Sequence, residues 1–584
     1  MKSKLTLSVL LLLTASALVV LRGSAVGDYA VDWWSSDGGG AATSTGGSYS
    51  LGGTIGQPDA GPAMTGGAFS IIGGFWGAAL PPALSISGSA GIPGATLTYT
   101  GGSTTANGSG DYSITVPYNW SGAVTPSKSG YTFSPDHKDY ANVTTDQPNE
   151  DYVATATTAW VGSASITSDR NVVAVGRPEI GSQVMAYDGF AAGATTMYVP
   201  MLFRDAFGED YNAAMVVQNV DAANPASITI TYRDTNGSLT CSHADSIPAQ
   251  ASHSYWMADE CVPAGWVGGA VVTANHNIAA VGRVHTGLTE ITSYNGLVSG
   301  GTLMYEPMMF RKAFDGTYNA AMYIQNTDAA LAADITISYY DVNGVLTCTH
   351  PDSIPALSSH AYWSPLECMP DGWFGAAVIS SNRDIVAVAR PNIGTQETAY
   401  RAFIGGTTTA YVPMMYKNGP GQTPNTAMYI QNTDPVNAAN VTIDYYDRNG
   451  SLTCTHADTI SSLSSHAYWS VLECTPNGWT GAAVITANHN IVALGRPHFG
   501  AEIFAYNGFT AGALQQYLPM LFSNAYGGSY NSAFYVQNLD TSQTANLTIK
   551  YYDTNGNLTC TKTDSINAMA AKETWVPDVV PACP

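Results

Sequence analysis

The sequence is poor in charge, and above all in basic residues. Its 584 residues include 21 Lys and Arg against 43 Asp and Glu, and charged residues make up 11% of the chain, where about 25% is usual. The formal net charge of -22, without any basic patch, argues against a nucleic-acid partner. An anionic membrane surface would repel such a chain as well.

Signatures of catalysis and metal binding are missing too. The chain has no C-x-x-C, no H-E-x-x-H, no Walker loop and no G-x-S-x-G elbow between a strand and a helix. A glycosidase needs two suitably spaced carboxylates, and the sequence marks no such pair. We therefore expect neither enzymatic activity nor a cofactor. No segment shows a convincing 3.6-residue period, so amphipathic helices are not expected either.

One long apolar run stands at the N-terminus. Lys2 and Lys4 precede an apolar stretch from Leu5 to Leu21, and small residues follow at 23–25. This pattern predicts a secretory signal peptide over residues 1–27; the alternative, an uncleaved anchor, is at the short limit for spanning a bilayer. The expected location is extracellular or at the cell surface, with no membrane span after signal removal.

Two small regions follow the signal. Residues 28–80 form a glycine-rich segment with short alternating runs that predict small strands, and its GTIGQ and GGFWG pieces resemble a segment of secreted bacterial multidomain proteins. Residues 81–157 carry strand-sized runs between glycine turns. Through residues 91–97, 108–112 and 130–133, this region resembles the carboxypeptidase-regulatory-like family. The resemblance implies a transthyretin-like β-sandwich that is an accessory domain without peptidase activity.

The remaining chain is a fourfold repeat with a period of about 106 residues. Each copy opens on W-[VFT]-G-x-A and continues with an apolar run ending in Arg, a Y-x-P-M motif, a Gln-Asn pair and a cysteine pair. The opening tryptophans are Trp160, Trp266, Trp373 and Trp479. We set the repeat boundaries at 158–265, 266–372, 373–478 and 479–584.

Strands are clear within each repeat. In DITISYYD, Ile335, Ile337 and Tyr339 share one face, and such period-2 alternation predicts a strand with one buried face. The fold class predicted is all-β, with four tandem antiparallel β-sandwich modules. By fold and pattern these resemble Ig-like arrays of secreted bacterial proteins.

The eight cysteines fall into one pair per repeat, which in an exported chain predicts four disulfides. The pairs are Cys241 with Cys261, Cys348 with Cys368, Cys454 with Cys474, and Cys560 with Cys583. Closing a loop of about 20 residues contributes roughly 3 kcal/mol by loop-closure entropy.

Three other recurring features have two interpretations each. A histidine pair in the first three repeats, such as His350 and His360, could bind zinc or copper, but the fourth repeat has Lys562 and Lys572 there. Asp-x-Asn-Gly favours a two-residue hairpin turn over a calcium loop, which needs more oxygen ligands. The recurring arginines suit packing at module junctions better than a ligand site; they are Arg177, Arg283, Arg390 and Arg496.

The phase of the repeat is open at this level. The last cysteine pair has no W-x-G-x-A segment after it, so the first copy, Trp160 to Pro178, is spare if each module includes the segment that follows its cysteines. One hypothesis is that this segment completes the last module of a neighbouring molecule by strand addition. The alternative is a unit that starts at the tryptophan.

The sequence therefore predicts a secreted structural or adhesive protein of the cell surface or extracellular matrix. Its expected partners are other copies of the chain, through strand exchange or filament formation, or surface glycans. The alternative function is carbohydrate binding through exposed aromatic side chains.

Overall fold

The computed structural model describes residues 44–46, 49–51, 64–66, 69–71, 83–128, 131–156, 159–209, 211–287, 290–420 and 423–580. The predicted signal peptide and Cys583 lie outside these residues. Nearly all regular structure in them is antiparallel strand, which confirms the prediction of tandem all-β modules. The chain divides near residue 155 into two compact units, which are described separately.

The glycine-rich segment contains two short hairpins. β1 (Ser44–Gly46) pairs with β2 (Tyr49–Leu51), and β3 (Met64–Gly66) pairs with β4 (Phe69–Ile71). β2 and β4 coincide with two of the alternating runs in the sequence. The other residues of 28–80 lie outside the described part of the chain.

Residues 83–156 hold eight strands with a shared apolar core. They are β5 (Leu84–Ser89), β6 (Thr96–Tyr99), β7 (Gly102–Thr105), β8 (Asp111–Val116), β9 (Trp120–Ser127), β10 (Tyr131–Ser134), β11 (Lys138–Val143) and β12 (Val153–Ala156). β5 pairs with β8, and a second sheet has the order β11-β9-β6-β7. Alternate residues of β8, including Tyr112 and Ile114, are buried, so period-2 patterning builds this core.

The large unit begins with β13 (Trp160–Ile180), β14 (Gln183–Val184) and β15 (Tyr187–Asp188). Module 1 contains β16 (Ala194–Arg204), β17 (Tyr211–Asn219), β18 (Ala226–Asp234), β19 (Leu239–Ile247), β20 (Ser252–Trp256), β21 (Trp266–Thr286) and β22 (Glu290–Asn295). Module 2 contains β23 (Gly301–Arg311), β24 (Tyr318–Asn326), β25 (Ala333–Asp341), β26 (Leu346–Ile354), β27 (Ser359–Trp363), β28 (Trp373–Ile393), β29 (Gln396–Glu397) and β30 (Tyr400–Arg401).

The last two modules repeat this order. Module 3 contains β31 (Thr407–Lys417), β32 (Asn425–Asn432), β33 (Ala439–Asp447), β34 (Leu452–Ile460), β35 (Ser465–Trp469), β36 (Trp479–Phe499), β37 (Glu502–Ile503) and β38 (Tyr506–Asn507). Module 4 contains β39 (Ala513–Ser523), β40 (Tyr530–Asn538), β41 (Ala545–Asp553), β42 (Leu558–Ile566) and β43 (Ala571–Trp575). Short helical turns occur at Ala206–Glu209, Ala313–Gly316, Ser364–Leu366, Ser470–Leu472, Ala525–Gly528 and Val576–Asp578.

A single long strand is the spine of each sheet. In module 1 the spine is β21, and the sheet order is β19-β18-β21-β17-β20, with β16 and β22 also paired to β21. The first half of β21 lies between β16 and β18, and the second half lies between β17 and β22. The middle of the strand, near His276, is partly exposed while both halves are buried. The spine strand therefore has one pair of neighbouring strands along its first half and a different pair along its second half.

The two edges of each sheet curl towards each other. Tyr255 on β20 donates its hydroxyl hydrogen to Asp245 Oδ2 on β19, at 2.8 Å, although these strands are at opposite ends of the hydrogen-bonded order. The same bond joins Tyr362 to Asp352 at 2.7 Å in module 2. Each sheet thus encloses its own apolar face.

Module 4 takes its spine from the other end of the repeat region. β13 pairs antiparallel with β39, β40 and β41, from Trp160 opposite Ser523 to Ile180 opposite Tyr530. The segment that was a candidate to complete a neighbouring molecule therefore completes the last module of its own chain. Exchange of this strand between copies stays a prediction. The sheets also take strands from both sides of the expected boundaries at Trp266, Trp373 and Trp479.

This pairing closes the four modules into a ring. Adjacent modules are joined by buried hydrogen bonds, and the same kind of bond joins module 1 to module 4. Ser359 Oγ donates to the Pro200 carbonyl at 2.6 Å, and its counterpart Ser252 Oγ donates to the Pro519 carbonyl at 2.5 Å. The apolar cores are continuous between modules. The repeat region is thus one closed body.

Candidate functional site

The cysteine pairs staple β19, β26 and β34 to the segments after β20, β27 and β35. Disulfides join Cys241 to Cys261, Cys348 to Cys368 and Cys454 to Cys474, with Cα atoms 6.1–6.2 Å apart. Cys560 is disulfide-bonded, and its predicted partner Cys583 is outside the described residues. In module 1 the staple holds together the two edges of the curled sheet.

The histidine pairs do not converge on a common point. His350 Nδ1 lies 2.6 Å from Glu367 Oε2, and His360 Nδ1 lies 2.7 Å from Asp352 Oδ2, so each imidazole has its own carboxylate partner. Burial opposes ionisation of Asp352, but hydrogen bonds from His360 and Tyr362 keep the pKa of its carboxyl below the ordinary value. Within the described part of the chain, no group of three or more His, Cys, Asp or Glu side chains could hold a metal ion.

The recurring tryptophans are core residues. The indole N–H of Trp266 donates to Thr240 Oγ1 at 3.0 Å, and its ring packs edge-on against Tyr232 at 6.1 Å. The other three copies make the same indole bond to a threonine, namely Trp160 to Thr559, Trp373 to Thr347, and Trp479 to Thr453. A buried indole whose N–H has a partner is stable in a core, so these rings are not available to a ligand.

Two of the recurring arginines contact aromatic rings across module junctions, whereas Arg283 and Arg496 lie over rings of their own modules. Arg390 of module 2 is 4% exposed; its Nη1 donates to Glu397 Oε2 at 2.7 Å, and its guanidinium lies 5.1 Å from the ring of Tyr211 in module 1. Arg177 of module 4 likewise lies 4.8 Å from the ring of Phe499 in module 3. Such cation–π contacts stabilise buried guanidinium groups. The packing interpretation of these residues therefore fits their surroundings.

The Asp-x-Asn-Gly segments are turns that touch the next module. Asp341 Oδ1 accepts hydrogen bonds from the backbone N–H groups of Asn343 and Val345, both at 2.9 Å. Gly344 has φ +81°, and a Cβ there would overlap the Ser462 carbonyl oxygen of module 3. The other three turn glycines approach the following module in the same way: Gly237 meets Ala356, Gly450 meets Ala568, and Gly556 meets Ala249. The turns are therefore part of the ring junctions.

Polar side chains gather where the four modules meet at the ring axis. Asp188, Asn295, Arg401 and Asn507 occupy equivalent places in the four modules. Asn295 Oδ1 accepts from the Asp188 N–H at 2.8 Å, and Arg401 Nε donates to Asp188 Oδ2 at 3.3 Å. Burial raises the pKa of Asp188 to about 6, although Arg401 opposes the rise. This network connects all four modules and was not foreseen from the sequence.

A second set of axial side chains consists of Gln183, Glu290, Gln396 and Glu502. Gln396 Nε2 donates to Glu290 Oε1 at 3.1 Å. Burial, together with the Glu290 carboxylate, raises the pKa of Glu502 to about 7, and a hydrogen bond from the Val184 N–H opposes the rise. Two carboxyl groups and two amide groups thus occupy equivalent positions around the ring axis.

Comparisons with known proteins give no family for this chain. No family model and no curated protein matches it. Among solved structures, one similar chain is the viral chemokine binding protein R17 of rodent gammaherpesvirus Peru, at 8% identity and a TM-score of 0.13 over 60% of this chain and 98% of that one. Another is native alpha-2-macroglobulin of E. coli, at 9% identity and a TM-score of 0.09 over 82% of this chain and 38% of that one.

Three exposed aromatic side chains project from equivalent bends. Phe207, Phe314 and Tyr526 are 63%, 54% and 66% exposed, and their φ angles are 53°, 49° and 51°. A left-handed backbone costs about 1–2 kcal/mol at a residue with a side chain. Each ring rests on a second aromatic residue, respectively Tyr211, Tyr318 and Tyr530, at 5.1, 4.9 and 4.7 Å.

Module 3 differs at this position, where it has Asn418, Gly419 and Pro420. The aromatic bends of modules 1, 2 and 4 occupy equivalent positions and so lie on one face of the ring. We name Phe207, Phe314 and Tyr526 the aromatic face. A backbone strain held at three equivalent exposed positions is a reason to look for a function there.

Proposed function

We propose that the protein is a secreted structural or adhesive protein of the cell surface or extracellular matrix, in which the ring is a rigid scaffold. In this proposal the chain is not an enzyme. The observation that carries the proposal is the closure of the ring by β13. The features that recur in the modules, namely the Trp, the Arg, the Asn-Gly turn and the disulfide, are occupied in holding that closed body together.

The aromatic face is the surface proposed to make adhesive contacts. Three separate bends hold one exposed ring each, so a flat partner can be engaged at three points, and linked contacts strengthen binding beyond that of a single contact. The scaffold keeps the three bends at fixed positions, which reduces the entropy lost on binding. Among the described residues no helix is long and apolar enough to cross a membrane.

Bead attachment tests this proposal. Beads coated with the full chain are brought to the surface of the producing cells and, separately, to a surface coated with the same protein. We expect the triple variant Phe207→Ser, Phe314→Ser and Tyr526→Ser to reduce attachment at least tenfold on one of the two surfaces. The surface affected separates a cell-surface or matrix component from a second copy of the chain.

Module 3 supplies the control. Pro420→Ser changes the exposed residue of module 3 that aligns with Phe207, Phe314 and Tyr526, and it should leave attachment unaltered. Thermal unfolding of both variants establishes that they are folded. Equal attachment by the triple variant and the original chain would show that the aromatic face is not the adhesive surface, and failure of the original chain to attach would contradict adhesion altogether.

A further inference from the structure

One of the four module junctions contains an open cleft. It lies between modules 4 and 1 and has a volume of about 530 Å³, within the range of about 300–1,000 Å³ typical of small-molecule sites. The loop that borders it is Ala191-Ala192-Gly193. At the junction of modules 2 and 3 the equivalent loop has Ile404, whose Cγ2 lies 2.9 Å from where a Cβ of Gly301 would stand. Small side chains in the first loop therefore leave the cleft open.

The walls of this closure cleft are polar, with one aromatic ring. They include Asp221, Asn275, His276, Asn277, Gln515 and Tyr517. Amide side chains both donate and accept hydrogen bonds, and the side chains of Asn277 and Gln515 make no hydrogen bond within the described part of the chain. The lining contains no Lys or Arg. The repulsion between an anionic ligand and the Asp221 carboxylate would therefore not be offset by a basic side chain of the lining.

The groups on one wall are held in place before any ligand arrives. Asp221 Oδ1 accepts from the N–H groups of Ala223 and Asn224, both at 2.8 Å, and its Oδ2 lies 3.0 Å from His276 Nδ1. Asn275 Oδ1 accepts from the Ser227 N–H at 2.8 Å. Side chains fixed in this way lose little freedom when a ligand binds.

The other junctions lack this combination. Gln515 is replaced by Thr196, Leu303 and Thr409 at the equivalent positions, and Ala191 by Val298, Ile404 and Thr510. Val298 and Ile404 are also about half exposed, which places bulky side chains at the openings of their junctions. The residues at the equivalent positions of the other junctions thus do not reproduce the lining of the closure cleft.

We propose that the closure cleft binds a neutral saccharide. Each sugar hydroxyl can donate one hydrogen bond and accept others, which matches amide and imidazole groups that do both. The apolar face of a sugar ring can pack on Tyr517, as apolar groups commonly do on aromatic surfaces. The inference rests on the proposed adhesive function, because it gives that function a class of ligand: a glycan attached to a cell-surface protein or a free matrix polysaccharide.

An array of immobilised neutral glycans tests the inference with the full chain. One arm carries protein-linked glycans and the other carries free polysaccharides, so the array separates the two sources. We expect saturable binding in at least one arm. Ala191→Ile, which introduces the residue found at position 404, should weaken binding at least tenfold, and Gln515→Thr, which introduces the residue found at position 409, at least threefold.

The control is Ile404→Ala, which removes the bulky residue at the junction of modules 2 and 3. The residue equivalent to Gln515 at that junction is Leu303, so this variant should not change glycan binding. Thermal unfolding establishes that each variant is folded. Binding that survives both cleft variants, or the absence of binding to any glycan, would overturn the inference. If the original chain still attaches in the bead experiment, the adhesive function is supported even though the saccharide inference has failed. The failure of the inference and the failure of the proposed function are therefore distinguishable.

Discussion

Glu306 occupies a place that an aliphatic residue fills in the other three modules. Its counterparts are Val199, Val412 and Leu518. The side chain is fully buried, and neither carboxyl oxygen has a hydrogen-bond partner among the described residues. The nearby Tyr400 hydroxyl donates instead to the Met308 carbonyl at 3.1 Å. Burial therefore raises the pKa of Glu306 well above its ordinary value of 4.5.

We predict that Glu306→Val increases the free energy of unfolding, and increasingly so as pH rises. Below an ordinary carboxyl pKa both states hold the proton. Above it the unfolded state releases the proton first, so the original chain loses stability by up to about 1.4 kcal/mol per pH unit. Denaturant unfolding between about pH 4 and pH 7 measures the difference between the two proteins.

Glu306→Gln is the control, since it keeps a buried polar group but removes the titration. Relative to the Val variant, it should show a stability deficit of about 1–3 kcal/mol that does not depend on pH. A difference between the original chain and the Val variant that stays constant across the pH range would contradict the prediction.

At the scale of secondary-structure elements, the Asn-Gly turns have two roles. Each reverses the chain between two strands, and each touches the following module. Gly450 has φ +83°, and a Cβ there would overlap the Ala568 carbonyl oxygen of module 4, whereas Gly372 has φ +85° with nothing within 4 Å. The two glycines thus separate the cost of the backbone conformation from the cost of a disturbed junction.

We predict that Gly372→Ala destabilises the protein by about 1–2 kcal/mol, the cost of a left-handed backbone with a side chain. Gly450→Ala should cost at least about 1 kcal/mol more, because module 4 must also move away. Denaturant unfolding gives both values, and hydrogen exchange should show faster exchange near residues 568–570 only in the Gly450 variant. Equal destabilisation by the two substitutions would argue against a role for the turn at the junction.

Much at this scale could be predicted from the sequence. Alternation marks the strand that contains Ile335, Ile337 and Tyr339, and Asn343-Gly344 marks its turn, because both signals are local. The partner of a strand is not a local property, since apolar alternation shows which face is buried but not which neighbour buries it. The sequence therefore exposed β13 as a spare strand without showing that its partners are in the same chain. Glu306 and the closure cleft depend on side chains that differ between copies, so the repeat pattern does not reveal them.

At the scale of the whole molecule, the modules are joined at the ring axis by side chains that include carboxyl groups with a pKa near neutral pH. Glu502 has a pKa raised to about 7, chiefly by burial and then by Glu290. Because the folded-state pKa is raised, the contribution of Glu502 to stability is complete below its ordinary pKa and is lost as pH rises to about 7.

We predict that Glu290→Gln lowers the pKa of Glu502 towards its ordinary value without reaching it, since burial remains. Glu502→Gln, which introduces the residue type of positions 183 and 396, should flatten the decline of stability between about pH 4.5 and pH 7. Carboxyl NMR titration and denaturant unfolding measure these effects. Asp259→Asn, which removes an exposed carboxylate of module 1, should change neither; an unmoved Glu502 midpoint in the Glu290 variant would contradict the prediction.

Ring closure by β13 predicts that the repeat region tolerates circular permutation. Joining residue 584 directly to Trp160 places that tryptophan ten positions after Trp575, the spacing that separates Trp363 from Trp373. A chain of residues 193–584 followed by 160–192 should match the thermal midpoint and monomeric elution of residues 159–584. Deletion of 160–192 should instead produce oligomers, because β39, β40 and β41 lose their shared partner.

Within the repeat region, a ribosome produces β13 first and its partners last. The Trp160 indole bonds to a threonine 399 positions later in the chain, so nearly the whole repeat region must be synthesised before that bond can form. Contacts of such large separation form slowly. Modules 1 to 3 hold their own spines and can fold in turn, while a long apolar strand ahead of them waits without a partner. The growing chain therefore carries an aggregation-prone segment until its last module emerges. A protein that binds β13 during this interval would determine the fraction of chains that form closed rings.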